Sequence, residues 1–223
     1  MTLNMADSIS AASLPAGYDS YAGYVDGAWP DFPAIAAKFP DAHLYSISAT
    51  GQPANEYDVE TGDLSAVSGV AHVKADLAAG KLRPGIYASA SAMASQVLPA
   101  LASAGVPRAS VRLRSAHYGA GEHICGPATC KLVSVPMDGT QWTDSAPGVN
   151  GALIDASVLA DDFFTLPEVK MFIQIPGIPG DWLQVTQLFS KSGTEYVVGI
   201  GADGFVWMTR KAPGGSWTTP VTL

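Results

Sequence analysis

The chain has 223 residues, 48% of them hydrophobic and only 14% charged, a balance that excludes a disordered chain and calls for a packed core. Its 12 basic and 20 acidic residues leave a net charge of -8 with no Lys/Arg run, so no nucleic acid partner is expected. No stretch approaches the about 20 apolar residues of a membrane-spanning helix, so no membrane partner is expected either. In chain order, the segment from Met1 to Ala12 has neither a basic region nor an apolar run, and it reads as no secretory signal. Tyr21-Ala-Gly-Tyr-Val25 reads as a strand ending at Asp26-Gly27. Trp29 to Phe39 reads as a helix, with Phe32, Ile35, Ala36 and Phe39 on one face. His43 to Ser48 and Glu56 to Glu60 are the next strands. A helix from about Ser65 to Ala79 follows, closed by Gly80. Gly85 to Ser89 is a strand, and Ala92 to Ala104 is a helix closed by Gly105. Ser110 to Ala116, Thr140 to Thr143 and Ala152 to Asp155 are strands, and Ser157 to Phe164 reads as a short closing helix.

Strands alternating with helices imply parallel pairing through crossovers, in an open doubly wound sheet or a barrel. Seven or so strands, each followed by a polar cluster, favour a compact or incomplete (β/α) TIM-like barrel over residues 1–166, with its chemistry at the C-terminal strand ends. Composition changes after Leu166. Pro167, Pro176-Gly177 and Pro179-Gly180 break the pattern, and from Trp182 onward alternation takes over. Residues 167–223 therefore read as a small antiparallel β-hairpin module resembling one propeller blade. A lone blade leaves a face to cover, so contact with the barrel or with other copies of the chain is expected.

Asp58 and Glu60 stand at i and i+2. On a strand such a pair points to one face, roughly 7 Å apart. Glycoside hydrolysis uses two carboxyl groups, one protonating the leaving oxygen and one stabilising or attacking the sugar cation. Asp26 and Asp155 also fall at predicted strand ends, so four acids converge on one mouth. Tyr87, Tyr118 and Trp142 offer aromatic faces for sugar rings, as does Trp29, and His117 and Gln141 offer hydrogen bonds. Ser89 and Ser91 have no adjacent base, and no Gly-rich phosphate loop is present. Cys125 and Cys130 read as loop thiols or as a short disulfide across Gly126-Pro127. His117 and His123 nearby supply further zinc-ligand residue types, but the spacing matches no standard zinc motif. No metal and no cofactor are expected.

An ordered set of segments resembles the family 25 glycoside hydrolases, which are lysozymes (muramidases). Tyr57-Asp-Val-Glu-Thr-Gly-Asp63 resembles their Asp-x-Glu strand, and Gly85-Ile-Tyr their Gly-Ile-Tyr strand. Leu113-Arg-Ser-Ala-His-Tyr118 is similar to their Trp-x-Ala-x-Tyr strand, Gly139-Thr-Gln-Trp142 to their Gln-Tyr/Trp strand, and Leu153-Ile-Asp155 to their closing strand. Tyr24-Val-Asp-Gly27 and His123-Ile-Cys-Gly-Pro-Ala-Thr-Cys130 are similar to a glycoside-hydrolase-like group of phages and actinobacteria. The resemblance implies a peptidoglycan-directed glycosidase acting on bacterial cell-wall glycan, with Glu60 as general acid and Asp58 orienting an N-acetyl group or stabilising the cation. Asp26 and Asp155 would shape the floor. It further implies a phage-borne protein made in a host cytoplasm and associated with the virion and its other proteins. The alternative is a virion adhesion protein whose lysozyme-like domain binds glycan without turnover. Arg114 stands where the family has Trp, and Asp155-Ala-Ser replaces Asp-x-Asn.

Overall fold

The computed structural model describes residues 2–165, 182–189, 195–201, 206–211, 215 and 221–222. The chain divides into two compact units, Met1–Leu166 and Pro167–Leu223.

The first unit is a closed eight-stranded barrel with strands in sequence order. Its strands are β1 (Thr2–Asp7), β2 (Ser20–Tyr24), β3 (His43–Ser48), β4 (Glu56–Asp58), β5 (Gly85–Ser89), β6 (Arg112–Ala116), β7 (Gly139–Pro147) and β8 (Leu153–Ala160). Neighbours from β1 to β7 run parallel, whereas β8 is antiparallel to both β7 and β1. Two differences from the expected elements follow. The first strand is β1, which the mixed sequence Thr-Leu-Asn-Met-Ala-Asp concealed. The expected helix from Ser157 is instead the second half of β8, where Ser157, Val158 and Leu159 pair with Met5, Asn4 and Leu3. A hairpin rather than a crossover links β7 to β8. Its turn places Asn150 and Gly151 at positive φ, 55° and 78°, a region that Asn and Gly tolerate.

Three helices cover the outside. Helix α1 (Phe32–Lys38) starts later than the expected Trp29, with a proline in its first turn. Helix α2 (Ala66–Ala78) begins at Ser65, whose Oγ accepts the backbone N–H of Ser68 at 3.1 Å. Helix α3 spans 90–103 and contains a π turn at Met93–Val97. That turn ends just before Pro99, which lacks an N–H, so the ladder resets there. Val70, Val73, Met93, Val97 and Leu101 of these helices pack against Tyr57, Ile86, Ala88 and Leu113 on the outer faces of β4 to β6. The barrel interior is layered. Met5, Ala22, Tyr45, Ile47, Leu159 and Phe163 fill its lower part. Phe163 meets Tyr45 edge-on at 5.2 Å, and Arg112 bonds the backbone carbonyls of Phe163 and Arg83. At Gly85 a side-chain carbon would strike the Tyr45 hydroxyl and the Asn55 carbonyl, so only glycine leaves Tyr45 its place. No crossover helix follows β6; residues 117–138 hold neither helix nor strand.

In the second unit, β9 (Trp182–Phe189), β10 (Glu195–Gly201), β11 (Val206–Lys211) and β12 (Val221–Thr222) form an antiparallel sheet in the order β12-β11-β10-β9. This is the expected hairpin module; Phe205 and the Pro176–Gly180 breaks lie outside the described residues. Among the described residues no helix is long and apolar enough to cross a membrane.

Candidate active site

Above its apolar layer the barrel turns polar. Period-two alternation aims Asp7, Tyr24, Glu56, Asp58, Tyr87, Arg114, Gln141 and Asp155 away from the outer apolar clusters. At the bottom of this layer lies Arg114, 1% exposed. Its guanidinium grips Glu56 Oε1 at 2.6 Å and 3.0 Å, reaches Asp7 Oδ2 and Ser157 Oγ at 3.2 Å each, and lies 4.3 Å from the Tyr87 ring centroid. Its charge is held firmly: burial disfavours it, but Glu56 and Asp7 together raise its pKa well above the ordinary value.

Asp58 sits at the end of β4, buried among the mouth residues. The Tyr24 hydroxyl donates to its Oδ2 at 2.7 Å. Its Oδ1 is buried without a partner. Burial pushes its pKa up to about 8; the Tyr24 hydrogen bond opposes this, and the charges of Glu60, Asp63 and Glu56 add to it. Glu60 lies just past the strand in a bend rather than on it, and its side chain reaches solvent. Desolvation at the mouth raises its pKa, Asp63 raises it further, and Arg114 opposes. One carboxylate oxygen from each of Asp58, Glu60 and Asp63 lies within 4.8 Å of the others. Glu60 also lines an open cleft of about 470 Å³ with Val59, Thr61, Leu64, Ser65, Ser89 and Gln96.

Asp155 reaches the same polar layer by a route that differs from the expected one. It stands near the start of antiparallel β8, directly opposite Asp7 at the end of β1. Burial and the neighbouring, hydrogen-bonded Asp7 raise its pKa to about 8. The Tyr118 hydroxyl accepts from Gln141 Nε2 at 2.9 Å and is hydrogen-bonded to Tyr87, with Asp155 and Glu60 both raising its pKa after burial. Tyr87, Tyr118 and Gln141 thus join the acids. Three expected site residues do not. Trp142 packs on the outer cluster of Ala6, Tyr21 and Ala156, in a separate pocket of about 250 Å³ with Tyr18 and Glu122. Strand alternation accounts for this: Gln141 faces the interior, so its neighbour Trp142 faces out. His117 turns into the 117–138 loop and bonds His123.

Asp26 is the third. Its carboxylate accepts from Ser48 Oγ at 2.6 Å, Ala49 N and Thr50 Oγ1 at 2.7 Å, and Gln52 N at 3.2 Å. Burial alone would raise its pKa, but these hydrogen bonds prevail and lower it. Such a saturated carboxylate fastens the 48–52 turn and has little left for a substrate. Asp26→Asn is therefore expected to cost about 1 kcal/mol of stability, discounted for partial exposure, with less than a few-fold change in any glycan cleavage. A melting curve and an activity assay on the same sample check this.

The raised carboxyls give the fold a pH dependence. Asp58 and Asp155, with pKa values near 8, hold protons that the unfolded chain releases near pH 4. Their stabilisation is complete below about pH 4 and is lost as pH rises toward 8. The slope per group is at most about 1.4 kcal/mol per pH unit, smaller for the half-buried Asp155. The melting temperature should fall from pH 5 to pH 8 at constant ionic strength, and Asp58→Asn should flatten the slope. A wild-type melting temperature constant across that range would refute the assignment.

Sequence reasoning missed Asp7, Glu56 and Tyr24. Asp7 was hidden with β1. Glu56 precedes Asp58 by two residues, and that same-face spacing was the available signal.

No family model matches the chain, and no curated protein does. Among solved structures, the CTP1L endolysin is similar at 13% identity over 73% of this chain and 68% of its own, with a TM-score of 0.48. The Clostridium perfringens spore cortex lytic enzyme SleM is similar at 9% identity over 100% of this chain and 98% of its own, with a TM-score of 0.47.

Proposed function

We propose that the barrel cleaves β-1,4 glycan bonds of peptidoglycan, with Glu60 as general acid and Asp58 as the group that orients or stabilises the reacting sugar. One observation carries the reading: a buried, partnerless Asp58 oxygen beside an accessible Glu60, their carboxyls within 4.8 Å. A buried acceptor without a donor is costly. The amide N–H of an N-acetyl sugar supplies that donor, and so aligns the acetamido group on the anomeric carbon. The delivered proton leaves from Glu60, the member that solvent and substrate reach. Carboxyls this close leave no room for an attacking water between them, so displacement proceeds through Asp58 or the acetamido oxygen, with retention at the sugar. The ordered resemblance from Tyr57 to Asp155 supports the substrate class, and its phage and actinobacterial side supports a phage-borne setting.

A second reading, glycan binding without turnover in a virion, is favoured by the ion pair that commits Asp7 to Arg114. Incubating the protein with purified cell walls separates the two. Cleavage releases reducing ends, identified as muramic acid after borohydride reduction, with no new free amines. Sedimentation with the walls and no reducing ends would sink the enzymatic reading and leave the binding one. New amines alone would identify peptide or amide cleavage and sink the glycosidase.

A further inference from the structure

We propose that His117, His123, Cys125 and Cys130 form a binding site for a zinc-class divalent ion that staples the β6–β7 connection. The inference is independent of the glycan reading. Three of these residues already converge: one ligating atom from each of His117, His123 and Cys125 lies within 4.8 Å of the others. His117 Nδ1 is 2.9 Å from His123 Nε2, and Cys125 Sγ is 3.5 Å from that same nitrogen. A tetrahedral zinc shell with ordinary bond lengths needs about 3.4 Å between nitrogens and about 3.6 Å between nitrogen and sulfur. The sulfur–nitrogen edge is in place, and the two imidazoles need to part by about half an ångström.

The tautomer is set as well. His123 Nδ1 lies 2.7 Å from the Gly121 carbonyl, which can only accept, so Nδ1 carries the proton. The Nε2 lone pair is thereby aimed at the centre of the cluster. This backbone-carbonyl partner is the support that metal-bound histidines use to fix ring orientation and raise basicity. Cys130 is the fourth ligand. It is hydrogen-bonded to Cys125 but lies outside the tight three-residue group, so it joins by a side-chain rotation. Both cysteines are free thiols, and binding releases their protons to solvent.

The location explains why an ion belongs there. Every other parallel crossover between β3 and β6 carries a helix or a short turn, whereas 117–138 spans the gap with neither helix nor strand. At its middle Cys125 anchors the backbone: its N–H donates to Thr140 Oγ1 at 2.8 Å and its carbonyl accepts from Met137 N at 2.9 Å. A loop of this length with neither helix nor strand is uncommon in a compact domain, and a metal clamp would hold its first half. His117 precedes Tyr118, so the clamp also fixes a mouth residue. The sequence spacing concealed the site because His117 comes from a strand end rather than from a compact motif.

The test uses full-length protein, reduced and stripped with chelator, then titrated with cobalt(II) and separately with zinc(II). One cobalt per chain is expected, with thiolate-to-cobalt charge-transfer absorption and tetrahedral d–d bands. Zinc should displace it, raise the melting temperature and shield both thiols from alkylation. Cys125→Ser and His123→Ala should weaken binding by more than about tenfold. Should either unfold, Cys130→Ser, at a less buried position, should lose one of the two sulfur contributions. No thiolate–cobalt band with two free thiols counted would overturn the proposal. So would unchanged affinity in folded Cys125→Ser, or a Cys125–Cys130 disulfide whose reduction restores no metal binding.

Discussion

Glu60→Gln is expected to lower glycan cleavage by about 10²- to 10⁴-fold, the range a positioned general acid supplies, while leaving the melting temperature nearly unchanged. No hydrogen bond or ion pair of its side chain is seen among the described residues, so the fold does not depend on its charge. Asp58→Asn should be at least as damaging. The amide cannot bear negative charge beside the sugar cation, and it confronts a substrate N–H with a donor. Asp155 is hydrogen-bonded to Asp7 rather than to the reacting pair, so Asp155→Asn should cost less than about tenfold. The pH profile separates an acid role from a merely structural one. A raised Glu60 carboxyl keeps its proton toward neutrality, so activity falls on the alkaline side as that proton is lost. Desolvation is the main cause of the elevation and Asp63 the largest charge behind it. Asp63→Asn should therefore move the alkaline limb to lower pH. Equal rates for wild type and Glu60→Gln, or an alkaline limb indifferent to Asp63, would remove Glu60 from the acid role.

What was legible in the sequence was periodic or punctuated. Gly80 and Gly105 closed helices, Gly85-Ile-Tyr-Ala-Ser89 read as a strand, and the hairpin alternation after Trp182 marked a separate sheet. The failures share a physical cause, tertiary pairing overriding local pattern. Thr2–Asp7 has no strong strand signature, yet it is held on both edges by β2 and β8. Ser157–Ala160 carries helix-compatible residues, and a partner strand decides it. Asp155 reaches the mouth because an antiparallel strand starts where a parallel one would end, an arrangement that local pattern does not reveal. Asp26 and Trp142 show the converse. Each has the residue type and nearly the position that the site calls for, but a turn's N–H groups claim the first and strand alternation beside the inward Gln141 turns the second outward.

Arg114→Met is expected to destabilise the barrel by about 3–5 kcal/mol, the cost of breaking a buried ion pair from one side. Glu56 is 0% and Asp7 4% exposed, and without the guanidinium both are left as carboxylates in an apolar enclosure. Burial already raises the Glu56 pKa, with Arg114 the main opposing influence. In the variant Glu56 must take up a proton, so the loss should be greatest at high pH and shrink as pH falls. The partner substitution discriminates. Arg114→Met with Glu56→Met removes the charges together. Replacing a buried ion pair as a whole is often far less costly than removing one partner, so the double variant should recover most of the loss in denaturant unfolding, with the remainder tracing Asp7. Equal, additive losses would mean that Arg114 acts through packing on Tyr87 rather than through its charge. Activity should not recover with stability. Arg114 opposes the elevation of both Glu60 and Asp155, so its removal leaves the mouth more protonated and moves the alkaline limb upward even in the refolded double variant. An arginine in this place is therefore an electrostatic floor: it pins two buried carboxylates below the site and sets how strongly the acids above hold their protons.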